Sequence, residues 1–107
     1  MHNKILDHIN EAILLFDSDL RLRYINPAGE ILFADSEKHL LGASIQKLFK
    51  TSQTVIFDEL ILRLKKYEPL VDRELMLDRL NNSVTVNLSA TPLQANGEFN
   101  EILIELQ

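Results

Sequence analysis

Residues 24–33, YINPAGEILF, switch the periodicity of the chain from that of a strand to that of a helix. Residues 20–25, which overlap the start of this stretch, alternate apolar and polar side chains, as a half-buried strand does. Pro27 disfavours helical backbone at Asn26 and itself suits the first position of a helix. Asn26 can then accept hydrogen bonds from backbone N–H groups of the first turn. The junction therefore predicts a strand that passes directly into a helix, with Asn26 and Pro27 forming its N-cap.

A hairpin is predicted just before this junction. Residues 12–16 form an apolar run of strand length, and residues 17–19 (Asp-Ser-Asp) are a tight polar turn. In the second strand of the hairpin, the alternation predicts that Leu22 and Tyr24 share one face.

Several helices are predicted between this hairpin and the second half of the chain. Short ones cover 27–34, 36–42 and 44–49, and a longer one begins at Thr51 or Ser52 and stops before Pro69. The longer helix has the apolar spacing i, i+3, i+4, i+7 in Phe57, Leu60, Ile61 and Leu64.

After Pro69 the apolar period changes to two, which is typical of strands. Turns at Asn81-Asn82 and Asn96-Gly97 divide this region into three strands, and Val71 is expected to share a face with Leu75 and Leu77. Five strands joined mostly by tight turns favour an antiparallel sheet. The predicted fold class is α+β, with the helices gathered on one face of the sheet.

The length of 107 residues fits one domain, in which 1–10 would be a helical N-terminal flank and 11–107 the core. A net charge of -5, with no basic run longer than Lys65-Lys66, argues against a nucleic-acid partner. The absence of cysteine excludes disulfides, thiolate metal sites and a cysteine nucleophile. It also fits a cytoplasmic location, and no apolar run is long enough to predict contact with a membrane.

Two segments, FDSDLRLRYINPAGEILF and LLGASIQKLF, resemble the PAS family. The matching positions are Asp19, Tyr24, Asn26, Ala28, Glu30, Leu41, Gly42, Ile45 and Leu48. The resemblance implies a non-catalytic domain that senses ligands, dimerises, and passes a signal to an attached output domain.

The longer segment ILDHINEAILLFDSDLRLRYINPAGEILF is similar to the N-terminal PAS domain of nitrogen-regulation sensor kinases of the NtrB family. That similarity implies a homodimeric regulatory piece of a two-component histidine kinase. The partners of the whole kinase would be the response regulator NtrC and a PII-type signal protein. The alternative is a small-molecule-sensing PAS domain of another signalling protein, such as a kinase, a cyclase or a transcription regulator.

Neither a cofactor nor a metal is predicted. Haem-binding relatives carry an axial histidine on the long helix, and residues 51–66 contain none. Light-sensing relatives form a flavin adduct through cysteine, which this chain lacks. An EF-hand loop counted from Asp17 would need glycine and glutamate where Leu22 and Ala28 stand.

Two surfaces of the predicted fold are candidate sites. A ligand pocket between sheet and helices would be lined by Phe33, Leu48, Phe49, Phe57, Leu60, Ile61 and Leu64, although the same side chains can fill that space themselves. Thr85 and Asn87 would add polar groups if their strand face points inward, which depends on the register. A dimer interface would use the apolar side of the N-terminal segment, formed by Ile5, Leu6, Ile9 and Ile13.

Overall fold

The computed structural model describes residues 11–49, 55–78, 82–95 and 98–107. Its strands are β1 (Ala12–Asp17), β2 (Leu22–Ile25), β3 (Leu70–Asp78), β4 (Ser83–Ala95) and β5 (Glu98–Leu106). Its helices are α1 (Pro27–Phe33), α2 (Glu37–Leu40), α3 (Ile45–Leu48) and α4 (Val55–Lys65). The predicted N-terminal helix, the start of the long helix at Thr51 or Ser52, and the turn residues Asn81, Asn96 and Gly97 lie outside these ranges.

The five strands form one sheet in the order β2-β1-β5-β4-β3, and every neighbouring pair is antiparallel. The last strand, β5, is central because it pairs with β1 on one side and with β4 on the other. The predicted α+β fold with a five-stranded antiparallel sheet is confirmed. None of the helices within the described ranges has the length and hydropathy needed to cross a membrane.

One face of the sheet, called here the inner face, packs with the helices into a single apolar core. Alternate residues of β1, β4 and β5 contribute to it, as in Val86, Leu88 and Ala90 of β4. Phe49, which follows α3, lies at its centre: its ring stacks on those of Phe33 and Phe57, with centroids 5.6 Å and 6.0 Å away.

The prediction that Leu22 and Tyr24 share a face is wrong, because the β1–β2 pair contains a bulge. Leu14 pairs with Ile25 and Leu15 pairs with Tyr24, whereas Phe16 pairs with Leu22. Directly paired residues lie on the same face, so Leu22 is in the core and Tyr24 is on the opposite, outer face.

A second bulge changes the start of β3. The register shifts between Leu70 and Arg73, and Asp72 has a left-handed backbone with φ of 53°. As a result Leu70 joins the core and Val71 is 59% exposed, so the prediction that Val71 shares a face with Leu75 is also wrong.

Candidate functional site

Asn26 joins three parts of the fold at the start of α1. Its side-chain Oδ1 accepts hydrogen bonds from the N–H of Gly29 at 2.9 Å and from the N–H of Ile13 at 2.9 Å. Its Nδ2 donates to the carbonyl of Glu11 at 2.8 Å, and Pro27 occupies the first helical position. Among the described residues Asn26 is the only buried polar one, and it is 0% exposed. The residue therefore caps α1 and also fastens the start of β1 to it.

The sequence predicted the cap but not the contacts to β1. The Asn-Pro pair is a local signal, whereas the groups of Glu11 and Ile13 approach Asn26 only when β1 and β2 pair in the sheet.

Gly29 allows α1 to start close to β2. A Cβ atom at this position would lie 2.5 Å from Cγ1 of Ile25 and 2.9 Å from its Cδ1. Because Ile25 is 1% exposed and belongs to the core, no side chain fits between the two elements.

A cavity of about 660 Å³ opens where α1, α2, α3 and the end of β3 meet. Its apolar surface comes mainly from half-buried or buried side chains that also contact the core. Charged residues stand at its rim. The lining residues are Leu32, Phe33, Ala34, Asp35, His39, Leu40, Ala43, Lys47, Leu48, Leu77 and Asp78.

Both acidic side chains at this rim have partners within the chain. Asp35 accepts from the backbone N–H of Ser36 at 2.8 Å and contacts Nδ1 of His39 at 3.0 Å. These interactions, the Ser36 hydrogen bond first, hold the pKa of Asp35 below its ordinary value. Asp78 accepts from the hydroxyl of Ser83 at 3.0 Å.

Of the residues predicted to line a ligand pocket, Phe33 and Leu48 line this cavity. Phe49, Phe57, Leu60 and Leu64 are instead buried in the core, and Ile61 is half-buried on α4. The stacked rings around Phe49 thus occupy space between the sheet and the helices, which agrees with the alternative that these side chains fill that space themselves. The sequence did not predict that charged side chains meet at this rim, because Asp35, Lys47 and Asp78 are far apart in the chain.

Thr85 and Asn87 do not line this cavity, because their strand face points outward and the condition for adding polar groups to a pocket is not met. They alternate with Val86 and Leu88, whose side chains are in the core, and so lie on the outer face of the sheet. There Nδ2 of Asn87 donates to Oδ1 of Asp72 at 3.1 Å.

A family model described as "PAS fold" matches residues 6–107. The chain belongs to the PAS family. A PAS domain of nitrogen regulation protein NR(II) from Vibrio parahaemolyticus aligns with a TM-score of 0.76 at 22% identity, covering 97% of this chain and 94% of that one. A PAS domain from Colwellia psychrerythraea aligns with a TM-score of 0.85 at 16% identity, covering 97% and 90%.

One relative is a sensory histidine kinase/phosphatase, NtrB from Vibrio alginolyticus. It is 39% identical over 46 residues, which are 43% of this chain and 13% of that protein. This chain thus corresponds to a small part of that kinase. PAS domains are generally sensory and non-catalytic.

The outer face of this PAS domain carries an apolar row across three strands. Leu15 of β1 pairs with Tyr24 on one side and with Leu103 of β5 on the other. Ile13 is on the same face of β1 and is 4% exposed. Of the residues predicted to form a dimer interface, Ile13 is the one that the structure describes, whereas Ile5, Leu6 and Ile9 fall outside the described ranges.

Glu105 of the PAS domain also lies on the outer face, opposite Ile13 and Ser89. Desolvation raises the pKa of Glu105 above its ordinary value of 4.5, and the carboxylate of Glu11 raises it further. A carboxyl whose pKa is higher in the folded state makes folding less favourable once it ionises.

Glu105→Gln should therefore stabilise the domain at neutral pH relative to the unsubstituted protein. The pH range of the effect follows from the raised pKa of Glu105. Below about pH 4.5 the stabilities of the two proteins should respond to pH in the same way. The extra free energy of unfolding of the variant should grow as pH rises through the folded pKa of Glu105. Urea unfolding at a series of pH values measures the difference. Glu74→Gln, at an exposed position opposite Asn87, is the control for the loss of a surface carboxylate. A difference that shrinks with rising pH would contradict the assignment.

Proposed function

We propose that this PAS domain is the sensory and dimerising part of a two-component histidine kinase of the NtrB type, and that it relays conformational change to the kinase and phosphatase activities. The observation that carries the proposal is the match of 46 residues at 39% identity to a histidine kinase/phosphatase named NtrB. On this proposal the whole protein would act with a response regulator of the NtrC type and a PII-type signal protein, and would serve nitrogen regulation.

The geometry of the central strands supports a relay. Ala12 at the start of β1 pairs with Leu106 at the end of β5. Next to this pair, Nε2 of Gln107 donates to Oε1 of Glu11 at 3.2 Å. A change in the core face of β5 therefore reaches both the segment before β1 and the residues after β5, and small shifts of packed elements are sufficient to bias a two-state output.

We further propose that the domain forms a homodimer through the outer apolar row and the N-terminal segment. The apolar side of that segment, with Ile5, Leu6 and Ile9, matches the apolar row of Leu15, Tyr24 and Leu103 in character. Leu15 and Leu103 are half-buried in a single chain, and burial of their remaining exposed surface against a second copy is favourable in proportion to its area.

Sedimentation velocity of the purified domain tests the dimer. We expect a dimer that Ile9→Asp dissociates, because a carboxylate in an apolar interface is costly to desolvate. Leu62→Asp, a substitution of a 56% exposed residue on α4, is the control and should leave the dimer intact. A protein that is monomeric without substitution would overturn this part of the proposal.

A chimeric kinase tests the relay. The region of Vibrio alginolyticus NtrB that matches this chain is exchanged for residues 1–107, and autophosphorylation and phosphatase activity are measured against the same kinase without that region. We expect the exchange to change the ratio of the two activities. Equal ratios in the two proteins would exclude a relay to this type of output.

The second candidate is a small-molecule-sensing PAS domain of another signalling protein. The cavity beside α2 and α3 favours it, since its volume is within the range of ligand pockets. A chimera without altered activity, together with a ligand bound to the isolated domain, would favour this second candidate.

A further inference from the structure

We propose that the cavity between α1, α2, α3 and the end of β3 binds a small monocarboxylic acid with an aliphatic body, held by Lys47. The inference rests on the proposed sensory function, for which it names the class of ligand. Three features of the cavity support it. The floor of the cavity is apolar, the ammonium of Lys47 has no partner among the described residues, and two carboxylates stand at the rim.

The floor of the cavity suits an aliphatic chain. Leu40, Leu48 and Leu77 are 9%, 8% and 2% exposed, and Leu32 and Phe33 pack partly against the core beside them. A hydrocarbon chain of several carbons placed here removes apolar surface from water on both partners. The interior behind this floor is filled by the ring of Phe49 and its neighbours, so the ligand is expected in the cavity and not deeper in the core.

The rim supplies one cation that has no partner among the described residues. His39 contacts Asp35 at 3.0 Å, and the carboxylate of Asp78 is bonded to Ser83. Lys47 is exposed, and its backbone N–H, not its ammonium, bonds to Ser44. Because Lys47 lines the cavity and is exposed, its ammonium is available to a carboxylate bound there, in a charge-assisted hydrogen bond.

The same rim disfavours ligands with more than one negative charge. Asp35 and Asp78 both line the cavity, one from the turn after α1 and the other from the end of β3. Both carboxylates repel any anion, and the ammonium of Lys47 can offset one negative charge of a ligand but not a second one, so a dicarboxylate or a phosphate is disfavoured more than a single carboxylate. Charge and shape thus select a monoanion with an apolar body.

Titration calorimetry with octanoate, octanol and octanedioate tests this inference, because the three probes differ in charge and share one chain length. We expect octanoate to bind at least about tenfold more tightly than either of the others. Amide shifts in a ¹H–¹⁵N NMR spectrum should change at α2, α3 and the end of β3. Octanol binding as tightly as octanoate, or no binding of octanoate, would overturn the proposal.

Substitution of Lys47 provides the second arm. Lys47→Met keeps a long apolar side chain and should weaken octanoate about tenfold without affecting octanol. Lys66→Met, at an exposed lysine outside the cavity lining, should leave both affinities unchanged. If Lys47→Met binds octanoate normally, or if the α-amino derivative of octanoate binds more tightly than octanoate itself, the assignment of a monoanion held by Lys47 is wrong. These readouts concern the domain alone, so they remain interpretable if the chimeric kinase shows no relay.

Discussion

Asn26→Ala should lower the free energy of unfolding by about 3 kcal/mol, which exceeds the roughly 1 kcal/mol typical of a lost N-cap. The substitution removes the acceptor for two backbone N–H groups, those of Ile13 and Gly29, and the donor to the carbonyl of Glu11. Because Asn26 is fully buried, water cannot readily replace these bonds. Urea denaturation, with the midpoint and slope fitted together, measures the loss.

Ser44→Ala is the matched control for this prediction. Ser44 caps α3 with one hydrogen bond, in which its hydroxyl accepts from the N–H of Lys47 at 3.2 Å in an exposed setting. Its removal should cost about 1 kcal/mol or less. Equal losses for the two variants would show that Asn26 acts as a helix cap alone and does not fasten β1 to α1.

Gly29→Ala should lower the free energy of unfolding by about 2 kcal/mol, although alanine favours a helix over glycine by about 1 kcal/mol. The new Cβ would lie 2.5 Å from Cγ1 of Ile25, so α1 must move away from β2 or Ile25 must leave its place in the core. Steric overlap with a buried side chain outweighs the gain in helix propensity. Thermal and urea unfolding of the variant both report the result.

Two further variants separate this overlap from the general cost of replacing glycine. Gly42 has φ of +85° and open space where a Cβ would lie, so Gly42→Ala tests backbone strain without a clash and should cost about 1 kcal/mol. In the second variant, Ile25→Ala removes the side-chain atoms that a Cβ at position 29 would meet. Combined with Gly29→Ala it should destabilise by less than the sum of the single changes. Strictly additive losses would refute the close approach of α1 to β2.

The parts of the fold that the sequence predicted are those with local signals. Asn26 and Pro27 mark the start of α1, and the spacing of Phe57, Leu60 and Leu64 marks the buried side of α4. In both cases the side chains themselves set the local backbone or its burial.

The parts that it did not predict depend on backbone irregularities or on distant segments. Tyr24 and Val71 each lie next to a bulge, which moves a residue to the other face without changing the apolar pattern. Thr85 and Asn87 follow a regular alternation, but the pattern alone does not say which face is inner. Lys47 and Asp78 border one cavity only because α3 and the end of β3 meet in three dimensions.

The pairing of Ala12 with Leu106 also determines how the domain responds to mechanical force. The chain enters β1 and leaves β5 at the same end of one antiparallel pair, so tension between the preceding and following segments separates the two strands one residue pair at a time. Strands loaded in the opposite way, from opposite ends, would have to break all their hydrogen bonds together. For tension applied between residues 11 and 107, the hydrogen bonds of this pair therefore break in sequence and not all at once.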